Sequence, residues 1–334
     1  MQNYPQNNSL SRFNKILVVC PAGAVTGGPE ALHQLVDHMN KLGLPSFITY
    51  LPFNEATTTP QAYKRYLTPV SRYEDVPRNM IIFPEVYPYL ASKVKLAQPA
   101  IWWLSLENFL ERRHIWPLHD KIRYIKRVIK GQRPLNGARS LTNMVHFSQT
   151  EHATAYLKSC GIDPVPLIDS INEDFLTDKN LNFIGNKEDV ILYNPTKGRK
   201  TTDKLIQANP QWKFIPLHGL NRDQLTDKLS AAKLYIDFGH HPGRDRMPRE
   251  AAMQGCCLIT GILGSAGNDV DLPIPRKYKL DSSLPEFTSI FKALAQDVFS
   301  DFESHNQNFE KYRQYLKREP EIFRQQIANY FIKK

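Results

Sequence analysis

Residues 234–263, LYIDFGHHPGRDRMPREAAMQGCCLITGIL, concentrate the chemistry of this 334-residue chain. A short apolar run ends in a Gly-His-His-Pro-Gly loop carrying Arg244, Asp245, Arg246, Arg249 and Glu250; a helical stretch from Glu250 to Gln254 then stops at Gly255, before a second apolar run opens at Cys256. The order is strand, polar loop, helix, strand. In open α/β sheets ligands settle where strand ends meet helix N-termini, because helix-end N–H groups point outward and favour negative charge. The three arginines of this loop point to an anion, a phosphate or diphosphate, whose oxygens accept paired N–H donors from a guanidinium. Glu250, a lone carboxylate at the start of the helix, is placed either to accept hydrogen bonds from a sugar hydroxyl or to sit in the favourable field of the helix N-terminus.

The elements that must position this loop alternate along the whole chain. Residues 15–23 (KILVVCPAG) read as a buried parallel strand, and a Thr-Gly-Gly-Pro-Glu turn follows at 26–30. Ala31, Leu32, Leu35, Val36, Met39 and Leu42 then recur at helical spacing, and 45–51 is a second strand, which makes a βαβ unit. The turn lacks the full G-x-G-x-x-G pattern of a dinucleotide site. Further strands are expected at 80–84, 100–106, 143–148 and 165–168, with helices at 87–96 and 150–159 between them. A polar, weakly patterned stretch at 172–188 marks a linker. A second alternating series follows, with strands at 189–193, 213–217, 234–238 and 256–260 and helices around 200–208 and 222–232. Alternation of this kind implies parallel sheets covered on both faces. The chain therefore reads as a disordered N-terminus (1–14), an N-terminal Rossmann-like domain (15–175), a C-terminal one (185–284) and a helical tail (285–334), with the working cleft between the two α/β halves.

Bulk composition bounds the partners. Lys and Arg total 43 against 33 acids, a formal charge of +10, which suits phosphates or an anionic surface and equally a plain basic protein. Hydrophobic residues at 41% and charged residues at 23% are those of an ordinary globular protein. Cys20, Cys160, Cys256 and Cys257 have no metal-ligand spacing and read as reduced and mostly buried, pointing to the cytoplasm. No apolar run reaches the roughly eighteen residues of a membrane-spanning helix, and the first fourteen residues lack the apolar core of a signal peptide.

Three blocks together resemble the GT-B glycosyltransferases, in particular the group-1, glycosyltransferase-4-like branch. Gly27-Gly28-Pro29-Glu30 is similar to that family's glycine loop after the first strand. Asn194-Pro195-Thr196-Lys197-Gly198 is similar to its Lys-Gly phosphate block. Gly243, Glu250, Ala251 and Gly255 match its Glu-Ala-x-x-x-Gly pattern, and the order of blocks holds from about residue 15 to 270. Two features depart from the pattern. The first glutamate of the family's spaced pair falls on Pro242, and Tyr193-Asn194-Pro195 stands where an arginine usually precedes the Lys-Gly pair, leaving Arg199, Lys200, Arg244 or Arg246 to supply that charge.

The resemblance implies a nucleotide-sugar-dependent transferase that passes a hexose-type sugar to a surface polysaccharide, lipopolysaccharide or lipid-linked acceptor. It implies donor contacts from Gly27, Gly28, Asn194, Lys197, His240, Gly243, Arg244, Arg246, Arg249 and Glu250. Lys197 and Arg246 would stabilise the leaving phosphate, and no metal would be required. Glu107, near the end of the strand at 100–106, is the candidate base for the acceptor hydroxyl; Trp102 and Trp103 beside it are core or sugar-platform residues. His240 and His241 are adjacent, so an extended backbone sends them to different sides and joint metal ligation is not expected. His146 reads as a core histidine. A GT-B-fold nucleotide-sugar epimerase, or a protein that binds nucleotide sugars or nucleic acid without catalysis, is the alternative; no RNA- or DNA-binding motif is present, so nucleic acid is not the expected partner.

Residues 114–139 carry Lys121, Arg123, Lys126, Arg127, Lys130, Arg133 and Arg139 against a single acid, Asp120, with Ile122, Ile125 and Ile129 at helical spacing. A basic amphipathic helix suits either an anionic membrane surface or a core-facing role with a solvated basic face. With no spanning helix expected, the first option makes the protein peripheral on the inner face of the plasma membrane.

Overall fold

A computed structural model describes residues 11–53, 57–112, 118–131, 139–176 and 187–333. Most of the expected linker and of the N-terminus, and residues 113–117 and 132–138 of the basic stretch, lie outside them. The chain divides into two compact units, residues 1–170 with 320–334 and residues 171–319.

The first unit holds six parallel strands in the order β2-β1-β3-β4-β5-β6: β1 (Ile16–Pro21), β2 (Ser46–Leu51), β3 (Met80–Pro84), β4 (Gln98–Trp103), β5 (Val145–Ser148) and β6 (Val165–Pro166). Ile16, Val18 and Cys20 enter one apolar cluster and Leu17 and Val19 another, so β1 is buried on both faces and reads as an unbroken apolar run. The helices are α1 (Gly27–Lys41), α2 (Pro88–Ala91), α3 (Leu106–Glu111), α4 (Leu118–Ile129) and α5 (Glu151–Ser159).

Two local expectations are corrected here. The helix expected over 87–96 is the single turn α2, because the Asp75 carboxylate accepts the N–H groups of Lys95, Leu96 and Ala97 and holds the chain out of helical conformation. The strand expected over 100–106 ends at Trp103, because the Ser105 side chain caps α3 by accepting the Asn108 N–H at 3.3 Å.

The second unit holds four parallel strands in the order β10-β9-β7-β8: β7 (Glu188–Tyr193), β8 (Lys213–Pro216), β9 (Ala232–Asp237) and β10 (Cys257–Thr260). Its helices are α6 (Arg199–Ala208), α7 (Arg222–Ala231), α8 (Arg246–Met253), α9 (Phe287–Ser300) and α10 (Phe302–Gln307). The last helix, α11 (Glu310–Phe331), belongs to both units. Leu316 lies in the core of the second, while Phe323, Ile327 and Phe331 lie in the core of the first. The expected tail is therefore not a separate segment. It divides at Glu319/Pro320, as the chain divides earlier at Ser170/Ile171. Residues 11–14, expected to lack structure, are tied down as well: Arg12 N–H donates to the Phe331 carbonyl at 3.0 Å.

Helix α8 starts one turn before its expected position. Pro248 takes its third residue, where a missing N–H costs nothing. Glu250 is consequently a buried residue of the second turn and not the first residue of the helix.

Candidate functional site

In each sheet the strand order reverses at one place, between β1 and β3 in the first unit and between β7 and β9 in the second. Loops leave such a switch point in opposite directions and open a crevice at the carboxyl ends of the strands.

At the switch point of the second unit the turn after β7 meets the loop after β9. Asn194 shapes the turn, accepting Thr196 N–H at 3.0 Å and its hydroxyl at 2.6 Å. Gly198 ends the turn at φ +60°, and a Cβ there would stand 2.5 Å from the backbone of Phe238 and Gly239. A Cβ on Gly239 would stand 2.5 Å from Lys197 Cβ. Two glycines thus let the two segments pack backbone to backbone, and α6 begins directly behind them with no side-chain cap on its N-terminus.

Lys197, half-buried, donates to Asp245 Oδ2 at 2.6 Å. The same oxygen lies 3.5 Å from His241 Nδ1, and His241 Nε2 lies 3.6 Å from Asp237 Oδ1. Asp237 also accepts Gly239 N–H at 2.9 Å and the Tyr235 hydroxyl at 3.2 Å. One ligand-type atom from each of Asp237, His241 and Asp245 falls within 4.8 Å of the others. Burial alone would push the Asp237 carboxyl up, but His241, the Gly239 N–H and Lys197 hold it below the usual carboxylate range. Burial pulls the His241 imidazole the other way, toward the neutral form, and the two aspartates outweigh it, so its pKa stands above the ordinary histidine value.

The loop after β10 clamps this arrangement. His241 N–H donates to Leu263 O at 3.2 Å, Ser265 N–H donates to His241 O at 2.9 Å, and the Ser265 hydroxyl donates to Gly243 O at 2.6 Å. Gly264 has φ +67°, and a Cβ on it would stand 2.2 Å from the His241 carbonyl oxygen.

The loop arginines separate into two kinds. Arg244 and Arg249, expected on a donor phosphate, turn inward instead. Both pair with the buried Glu319 of α11, Arg249 at 3.1 Å, and Arg244 also donates to the Tyr315 hydroxyl at 3.1 Å. Arg249 further donates to the Arg244 carbonyl at 2.7 Å and to that of Asp245 at 3.3 Å. Both guanidinium groups share the Glu319 carboxylate, and their work is to shape the loop. Arg246, the first residue of α8, is partly exposed, and His240 is exposed. The structure thus brings Asn194, Lys197, His240, Gly243 and the head of α8 to one sheet edge. Sequence reasoning missed Asp237, His241 and Asp245 as a group; the available signal was an acid ending a strand, followed by a histidine and an acid four and eight residues later.

In the first unit Gly27 and Gly28 are the first two residues of α1, and the Tyr63 hydroxyl binds both the N–H and the carbonyl of Thr26 just before them. A Cβ on Gly28 would meet nothing within 4 Å, so the fold itself does not demand glycine there. Glu107 stands in the first turn of α3 with Oε1 2.7 Å from His152 Nε2 on α5. Trp102 and Trp103 are fully buried, donating to Leu167 O and His146 Nδ1, both at 2.9 Å; of the two readings offered for them, core holds. His146 is likewise a core residue bonded to Leu141 O at 2.7 Å. Glu85, which follows β3 at the switch point, went unnoticed in the sequence. It is buried and accepts the Leu104 N–H at 3.1 Å.

Among the described residues nothing covers the apolar stripe of helix α4: Leu118, Ile122, Ile125 and Ile129 are 73, 45, 55 and 78% exposed. No disulfide joins any of the four cysteines, all of them among the described residues, and no described helix is long and apolar enough to cross a membrane.

No protein-family model and no curated protein matches the chain. Solved structures do match its fold. Sucrose-phosphate synthase from Thermosynechococcus elongatus superposes with a TM-score of 0.61 at 12% identity, over 94% of this chain and 97% of its own. An α-glucosyltransferase in complex with UDP and a 13-mer DNA gives 0.56 at 11% identity, over 92% and 95%. The catalytic domain of starch synthase IV from Arabidopsis thaliana, bound to ADP and acarbose, gives 0.54 at 10% identity, over 95% and 100%. The chain has the GT-B fold, as its motifs led one to expect. Because one of these structures holds DNA, the fold offers no support for excluding nucleic acid as a partner.

Proposed function

We propose that this protein is a nucleotide-sugar-dependent glycosyltransferase whose donor site is the carboxyl edge of the second unit's sheet. One observation carries the reading: the Lys197 turn, the uncapped N-terminus of α6 and the head of α8 converge at the β7/β9 switch point. In sugar transfer the bond from the anomeric carbon to the diphosphate breaks, and negative charge grows on the leaving phosphate. A fixed ammonium and helix-end N–H groups aimed at that charge lower the barrier. Lys197 and Arg246 take this role. Gly243 and His240 border the donor, and Glu250 holds its ribose hydroxyls. In this reading the cations on the leaving phosphate are side chains and not a metal ion; Lys197 reaches Asp245 at 2.6 Å, and His241 lies beside Asp237 and Asp245.

On the acceptor side Gly27 and Gly28 leave room for close approach of substrate, and Glu107 takes the proton of the attacking hydroxyl. The acceptor is a glycan or lipid-linked glycan of a surface polysaccharide or lipopolysaccharide, met at the cytoplasmic face of the membrane. The exposed apolar stripe of α4, flanked by Lys126, Arg127 and Lys130, supports that location.

A thermal-shift screen of UDP-, GDP-, ADP- and dTDP-sugars tests the donor reading. A nucleotide sugar at 100 times its Kd raises unfolding free energy by about 2.7 kcal/mol. One of them is expected to stabilise the native protein and to lose that effect in Lys197→Ala and in Glu250→Ala. No stabilisation by any of them would end the proposal, and an unchanged shift in either variant would remove that residue from the site.

A further inference from the structure

We infer that His241 is a positioning residue that sets the charge of the donor-phosphate site: its imidazolium keeps Asp245 paired when Lys197 turns from that carboxylate to a phosphate. The inference rests on the nucleotide-sugar reading of Lys197 and adds to it an exchange of partners.

Asp245 Oδ2 is shared between Lys197 Nζ at 2.6 Å and His241 Nδ1 at 3.5 Å. A lysine spent on a carboxylate cannot serve a phosphate at full strength, and a carboxylate deserted by its lysine repels the phosphate that took it. The groups facing the His241 ring decide the outcome. They are Asp237 from β9, which also accepts the Tyr235 hydroxyl, Asp245 from its own loop and Lys197 from the turn after β7; the loop after β10 holds the His241 backbone. With the ring protonated, two carboxylates face one ammonium and one imidazolium, and the cluster is neutral. With the ring neutral, a net negative charge stands beside the arriving diphosphate.

The ring is buried and its backbone is pinned on both sides, so it answers a change at Asp245 in place and does not swing to solvent. The two aspartates favour its charged form and raise its pKa above the ordinary histidine value. Linkage then couples the two events. Donor binding that withdraws Lys197 tightens the proton on His241, and by reciprocity the proton tightens donor binding. Affinity is level while the free protein's ring is charged. It falls as pH rises through the free-state pKa, by up to about tenfold per pH unit, until the pKa of the complex is reached.

The test is calorimetric titration of UDP-glucose, ADP-glucose and GDP-mannose into the full-length protein, Lys197→Met and His241→Gln, from pH 5.5 to 8.5. Diphosphate diesters carry no titrating proton in this range, so any pH dependence belongs to the protein. The wild type is expected to lose affinity toward high pH and to take up a proton on binding, read as heat that changes with buffer. His241→Gln is expected to bind several-fold more weakly at pH 6, with a flat profile. Equal profiles in wild type and His241→Gln, or no proton uptake by the wild type, would overturn the inference. Lys197→Met losing affinity at every pH would leave the donor reading standing in that case. Full affinity in Lys197→Met, or binding of none of the three, would overturn both. Proton uptake is measured on the native protein, so the test survives a variant that does not fold.

Discussion

Glu85 isolates what position does to a single side chain. The carboxyl follows a strand buried on both faces, and burial pushes it up to about 7 against the pull of nearby N–H groups and Arg112. In the folded chain it keeps its proton to about pH 7, while an ordinary glutamate loses it near 4.5. The unfolded chain therefore binds fewer protons between these values, and stability falls as pH rises from about 4.5 to 7. The full loss is on the order of 3 kcal/mol. Glu85→Gln has no proton to lose. It is expected to match the wild type near pH 4 and to exceed it by up to about 3 kcal/mol at pH 8, in urea unfolding at the two pH values. A difference that ignores pH would show that the Glu85 carboxyl titrates in the folded chain as it does in the unfolded one. A costly carboxyl at the first unit's switch point is also what a reactive site tolerates, so the same variant belongs in any assay of transfer.

At the level of elements, Lys187 ties the ends of two helices to the sheet. Its buried ammonium donates to the carbonyls of Leu229, Ser230, Ala232 and Gln254 at 2.7–3.1 Å, around the C-termini of α7 and α8. Lys187→Met would remove this donor from all four, leaving the weak Cys256 thiol donor to those of Leu229 and Ala232. The loss is partly offset by removal of a buried charge, so a net cost of about 2–4 kcal/mol is expected in unfolding followed at Trp212. Helix α4 is the opposite case, an element with an apolar stripe and no cover from the described residues. Reversing the charge of Lys126, Arg127 and Lys130 to Glu is expected to release the protein from vesicles containing phosphatidylglycerol without changing its melting temperature; equal vesicle binding would count against the membrane reading. Strands such as Met80–Pro84 were legible in the sequence because burial on both faces leaves an unbroken apolar run. The start of α8 was not: Arg246 to Arg249 offer no apolar spacing, and Pro248 reads as a break although it fits a first turn. Lys197 and Gly198 were legible as a motif. The meeting of Lys197 with Asp245 and His241 was not, because it depends on β7 lying beside β9, an order in space that chain order does not give.

For the molecule as a whole, the two passages of the chain between its units matter most. Ile171 opens the second unit and Glu319 closes it; the Ile171 N–H donates to Glu319 Oε2 at 3.4 Å, and Pro320 continues α11 into the first unit. Glu319 is fully buried, and its partners Arg244 and Arg249 shape the loop proposed to hold the donor. The residue that closes one unit is therefore also the shared counter-charge of the two arginines in that unit's proposed donor loop. Glu319→Gln would leave two buried guanidinium groups facing a neutral amide. Removing one partner of a buried ion pair typically costs about 3–5 kcal/mol, because the remaining charge stays desolvated. The cost should fall where those arginines sit. Hydrogen exchange is expected to rise in 240–250 and 312–319 and to stay unchanged in β1 to β4 of the first unit, while nucleotide-sugar affinity drops several-fold. Unchanged exchange in 240–250 would show that the loop holds its shape without Glu319. Faster exchange spread evenly over both units would show a general loss of stability with no special link between the crossing point and the site.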